Sequence, residues 1–73
     1  MSQFVSGPDH YARNIQDGAN AIARKATLTS PNGVKEPGIA VTIDRMPRLV
    51  IPTSDAIRIA HQIADAATEQ NQH

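Results

Sequence analysis

Between Asp55 and Glu69 the chain sorts its side chains onto two faces. At the roughly 100° per residue of an α-helix, Ala56, Ile57, Ile59, Ala60, Ile63, Ala64, Ala66 and Ala67 fall on one half of the cylinder. Arg58, His61, Gln62, Asp65, Thr68 and Glu69 fall on the other. Pro52 cannot sit in a helix interior, and Thr53 or Ser54 can offer an oxygen to the unpaired N–H groups of the first turn. Asp55 sets a negative charge beside the positive end of the helix dipole. The pattern predicts a helix over 54–69. Ala56, Ala60 and Ala64 recur every fourth residue, a smooth row on which another backbone can lie close.

The segment before this helix alternates. Ile39, Val41 and Ile43 share one side of an extended strand, and Leu49 and Ile51 match them on a returning one, with Val50 pointing the other way alongside Ala40 and Thr42. This reads as a hairpin of strands 39–44 and 48–51, turning at Arg45-Met46-Pro47, with a connecting loop over 34–38. Upstream, Ser30-Pro31-Asn32-Gly33 is a strong turn signal that closes a short β-prone strand at 26–29.

The N-terminal part opens with Ser6-Gly7-Pro8-Asp9, where Pro suits a first helical turn and Ser6 with Asp9 has the spacing of a capping box. Tyr11, Ala12, Ile15, Gly18, Ala19, Ile22, Ala23 and Ala26 then share a face, predicting a helix over 8–24. Gly18 weakens it by about 1 kcal/mol relative to Ala, and Asp17-Gly18 is an alternative turn, so residues 8–26 read either as one helix or as a helix and a strand. Residues 1–5 read as a loose N-terminus and 70–73 as a frayed tail. The expectation is one α+β domain over 1–73: an N-terminal helix, a small antiparallel sheet and a long amphipathic C-terminal helix.

Such a chain has little with which to build a core. Its 73 residues include eight Ile, four Val and two Leu, but its aromatics are Phe4 and Tyr11 alone, and eleven of its apolar residues are Ala. With no cysteine it has neither a disulfide nor a thiolate metal site, and small domains in that position gain stability by self-association. A homodimer is therefore expected, with Ala56, Ile59, Ala60, Ile63, Ala64 and Ala67 as the interface. Some of the same face is available to a host protein.

The formal charge is zero, which argues against a general nucleic-acid or membrane-surface binder. Residues 24–48 nonetheless carry Arg24, Lys25, Lys35, Arg45 and Arg48 against Glu36 and Asp44. Arg45 and Arg48 flank the Met46-Pro47 tip, and a β-ribbon tip with two arginines is a candidate phosphate contact. Asp44 beside them weakens that reading. No apolar run reaches the length of a membrane span or a signal segment, which with the absence of cysteine points to a bacterial-type cytoplasm.

Residues for catalysis are scarce. Ser6, Ser30 and Ser54 sit at a cap, a turn and a cap; His61 and Asp65 form an i, i+4 pair on a polar face; His10 opens the first helix and His73 is terminal. There is no nucleophile elbow or phosphate-cradling glycine loop. The expectation is a non-enzymatic protein without cofactor or metal.

The order of Ala26-Thr27-Leu28, Asn32-Gly33, Pro37, Ile39 to Ile43, and Ile51-Pro52-Thr53-Ser54-Asp55-Ala56 continuing to Ala67 resembles small proteins of actinobacteria and their bacteriophages. The opening Gly7-Pro8-Asp9-His10-Tyr11-Ala12-Arg13 is similar to a helix start frequent in short actinophage proteins. The chain departs from that pattern in using Ile where it prefers Leu, and in placing Pro52 before Thr53. The resemblance implies a hairpin followed by an Ala-rich helix, and it carries no activity.

Overall fold

A computed structural model describes residues 3–70. The expectations for Met1, Ser2 and residues 71–73, including the tail and His73, lie outside the described residues. A single 3-10 turn, Pro8–His10, leads into α1, Tyr11–Asn20. Three strands follow, β1 Ala21–Thr29, β2 Lys35–Ile43 and β3 Met46–Pro52, and then the long helix α2, Thr53–Gln70. The strands form one antiparallel sheet in the order β1-β2-β3. The fold is α+β, with a helix at each end of a three-stranded meander.

The long helix agrees with its sequence pattern to one residue at either end. The N-terminal helix does not: it stops at Asn20, and 21–24 belong to a strand that was expected only over 26–29. Ala21 already has extended dihedrals, φ −74° and ψ 134°. The reason is non-local. Residues 21–29 pair one-for-one with 43–35, from Ala21 opposite Ile43 to Thr29 opposite Lys35, and a full ladder outweighs a few more helical bonds beyond a helix-weakening Gly18. The start of that helix also differs. Gly7, not Ser6, precedes the 3-10 turn, and no side chain caps it. Ser6 Oγ instead accepts a 2.7 Å hydrogen bond from Asn14 Nδ2.

The β1–β2 connection bears the chemistry of its residues. Gly33 N–H donates to the Ser30 carbonyl at 2.9 Å, closing a turn with Pro31 in its first central position, and Gly33 takes φ 83° where an L side chain is strained. Val34 N–H donates to Ser30 Oγ at 3.1 Å.

The expected loop over 34–38 is largely strand, since β2 begins at Lys35. Pro37 is accommodated because β3 ends at Pro52, opposite Gly38, leaving residues 35–37 paired on one side alone. Gly38 is buried for a steric reason: an added Cβ would collide with the Leu28 side chain and stand 2.5 Å from the Ile51 carbonyl oxygen.

The β2–β3 turn is shifted from Arg45-Met46-Pro47 to Asp44-Arg45. Both residues have positive φ, 52° and 69°, the signs of a type I′ turn, whose twist matches that of the strands it joins. Val41 opposes Leu49 but Thr42 opposes Pro47, so Arg48 is the extra residue of a bulge in the edge strand.

Directly opposed residues share a face. Ile39, Val41, Ile43, Leu49 and Ile51 therefore line one side of the sheet, while Ile22, Arg24, Ala40, Thr42 and Val50 line the other. That division follows the alternation read from the sequence.

No core forms between these elements. Among the described residues no hydrophobic side chain is buried, and only Gly38 and Thr42 fall in the buried class. Helix α2 touches β2 and β3, where Asp55, Ala56 and Ile59 are half-buried; from Ala60 to Gln70 every residue is exposed. The apolar face of α1 stays open as well, with Tyr11 68% and Ile15 59% exposed.

The chain exposes 6488 Å². A compact monomer of 7.8 kDa exposes roughly 4,400 Å² by the usual mass scaling. Its radius of gyration is 15.1 Å, against about 11 Å for a compact chain of this length. Among the described residues no helix is long and apolar enough to cross a membrane.

Candidate functional site

Two surfaces stand out. The first is apolar. Of the expected interface residues, Ala56 and Ile59 are drawn down beside the sheet, whereas Ala60, Ile63, Ala64 and Ala67 remain open. The alanine row is thus split: its first member rests by the sheet, and the next two face outward on a helix that continues for three more turns. Ile63 is 65% exposed and Ile57 56%. The polar side of the same helix is tied locally. Arg58 reaches Asp55 at 3.6 Å and Gln62 at 3.3 Å, and Thr68 Oγ1 donates to the Ala64 carbonyl at 2.8 Å.

The second surface is polar and surrounds the β2–β3 turn. A shallow cleft of about 460 Å³ is lined by Arg24, Thr42 and Arg45. Arg24 lies opposite Ala40 in the ladder, on the face shared with Thr42, while Arg45 occupies the second turn position just beyond it. The sequence pairs Arg45 with Arg48. The structure instead brings Arg24 to Arg45 and leaves Arg48 in the bulge of β3, outside the cleft lining. Arg24 escapes sequence reasoning because a helix over 8–24 assigns it to an unrelated polar face; only the pairing register carries it to the turn.

Electrostatics in this cleft are unbalanced. Among the described residues the ion pairs are Arg13 with Asp17, at 3.8 Å, and Arg58 with Asp55, so neither Arg24 nor Arg45 makes a direct ion pair there. Asp44, the natural partner by proximity, accepts a hydrogen bond from Asn20 Nδ2 at 3.0 Å. That contact also fastens the end of α1 to the hairpin turn. Thr42 is 8% exposed, and its hydroxyl donates to the Ile22 carbonyl across a long 3.5 Å.

The remaining candidates stay apart. His61 and Asp65 are exposed on α2. No group of three or more His, Cys, Asp or Glu side chains gathers into a metal-holding cluster among the described residues. Ser6 is engaged by Asn14, and Ser30 by the turn it closes. No family model, curated protein or solved structure matches the chain.

Proposed function

We propose that the protein is a non-enzymatic association module that works as a homo-oligomer, a dimer in the simplest case. The contact would form through the open part of the α2 apolar face, Ala60, Ile63, Ala64 and Ala67, together with the unpartnered face of α1. The observation that carries this reading is the missing core: no hydrophobic side chain is buried among the described residues. Each chain exposes about 2,100 Å² more than a compact monomer of its mass. Obligate homodimers bury roughly 1,000–2,500 Å² per subunit, so one further copy accounts for the excess.

A second copy suits the surface better than an occasional partner does. The exposed residues are spread over α1, the sheet and α2, as in a domain core divided between two chains. The small side chains of Ala60 and Ala64 let two helices approach closely, and Ile63 between them supplies apolar area to be buried. We place this assembly in a reducing compartment such as the bacterial cytoplasm, in keeping with a chain that has no cysteine.

The second reading, contact with nucleic acid through Arg45 and Arg48, draws on the open position of Arg45 at the turn. It loses force from the placement of Arg48 in the bulge, away from the cleft.

Sedimentation equilibrium at micromolar concentration tests the first reading. A mass of twice 7.8 kDa, or a higher multiple, with one cooperative unfolding transition is the expected result. A cooperatively folded species at the single-chain mass overturns it.

A further inference from the structure

We propose that the cleft between β1 and the β2–β3 turn is an oxyanion site, which holds a phosphate dianion between the guanidinium groups of Arg24 and Arg45. Arg24 and Arg45 line one shallow concavity of about 460 Å³ with Thr42. Neither is spent on a carboxylate, since the ion pairs among the described residues involve Arg13 and Arg58. The one acidic neighbour in the turn, Asp44, is held by Asn20 at 3.0 Å.

Arg45 holds the second central position of the type I′ turn, with φ 69°, at the tip of the β2–β3 hairpin.

The chemistry of the lining selects the ligand. A guanidinium presents a planar fork of N–H donors that matches two oxygens of a phosphate. Each fork can grip a pair of oxygens, and a phosphate monoester or inorganic phosphate offers enough oxygens for both forks where a single carboxylate offers two. Thr42 contributes a hydroxyl whose present acceptor is 3.5 Å away, so it can turn to a closer oxygen with little loss. The site adjoins α1 through the Asn20–Asp44 contact, so its test is read together with the oligomeric state.

The test is an amide and guanidinium NMR titration of the full chain with inorganic phosphate at constant ionic strength, with chloride as the control salt. Saturable shifts are expected at the Thr42 and Arg45 amides and at Arg24 Nε–H. The Arg24→Gln/Arg45→Gln double variant should bind about tenfold more weakly or worse, with an unchanged circular dichroism spectrum. Arg24→Lys/Arg45→Lys keeps the charge but not the fork and should fall between the two.

Three results overturn the proposal: shifts that never saturate in the natural chain, shifts that persist undiminished in the double glutamine variant, or saturable binding of a single-stranded oligonucleotide without any of phosphate. Sedimentation of the same samples separates this outcome from the association reading. Phosphate binding by a single-chain species refutes association and leaves the site standing.

Discussion

Replacing Arg45 by glycine should make the protein more stable while it empties the cleft. Arg45 and Asp44 both adopt left-handed backbone conformations, with φ of 69° and 52°. A non-glycine residue in that region costs about 1–2 kcal/mol. Glycine removes the clash of Cβ with the carbonyl oxygen, but it returns about 0.5–1 kcal/mol as extra freedom of the unfolded chain. The net gain for Arg45→Gly is therefore about 0.5–1 kcal/mol, and Asp-Gly is among the most favoured pairs for a type I′ turn. In a domain of this size, about 4–8 °C of Tm corresponds to each kcal/mol, so a rise of roughly 2–8 °C is expected.

The assay is urea denaturation followed by circular dichroism. Protomer concentration must be held constant, because an associating chain has a concentration-dependent midpoint. The midpoint should rise at an unchanged m value. Arg45→Ala is the essential control: it removes the same charge and the same guanidinium but keeps Cβ, and it should stay within about 0.5 kcal/mol of the natural chain. Equal stabilisation by Ala and Gly would mean that crowding of Arg24 and Arg45 charges, not backbone strain, is what the turn bears. A glycine variant that melts at or below the natural chain would refute the strain reasoning altogether.

Other substitutions probe the remaining elements. Gly38→Ala places a methyl against Leu28 and 2.5 Å from the Ile51 carbonyl, so the β2–β3 ladder must open and stability should fall by about 1–3 kcal/mol, measured by thermal melt. Gly18→Ala meets nothing within 4 Å and should strengthen α1 by about 1 kcal/mol, visible as added helical ellipticity; no gain would mean that α1 is not helical in solution. Ile63→Glu puts a charge where 65% of the side chain is open. If that residue is buried between copies, loss of about 1.5–3 kcal/mol of apolar burial weakens association by at least tenfold in sedimentation, whereas an unchanged Kd removes α2 from the interface.

The parts of this protein that were legible in the sequence are those whose causes lie within a few residues. The α2 helix announces itself by a proline stop and a clean division of faces. The Ser30-Pro31-Asn32-Gly33 turn needs only a fixed φ at Pro31 and a free one at Gly33. The two faces of the sheet follow from alternation alone, and Val50 falls with Ala40 and Thr42 as that alternation demands.

What only the tertiary structure decided depends on pairing between distant segments. Residues 21–24 carry apolar spacing compatible with a helix and with a strand; the ladder to Ile43–Ala40 chose the strand. The same register, combined with a bulge at Arg48 that moves the turn to Asp44-Arg45, sets Arg24 beside Arg45. No local rule expresses that neighbourhood, because the two arginines are far apart along the chain and meet only through hydrogen bonds made by other residues. The open apolar face has the same origin. Periodicity tells which side chains a helix presents together, but how much of that face one small sheet can cover is settled by length and packing, and here the sheet covers only the start of α2.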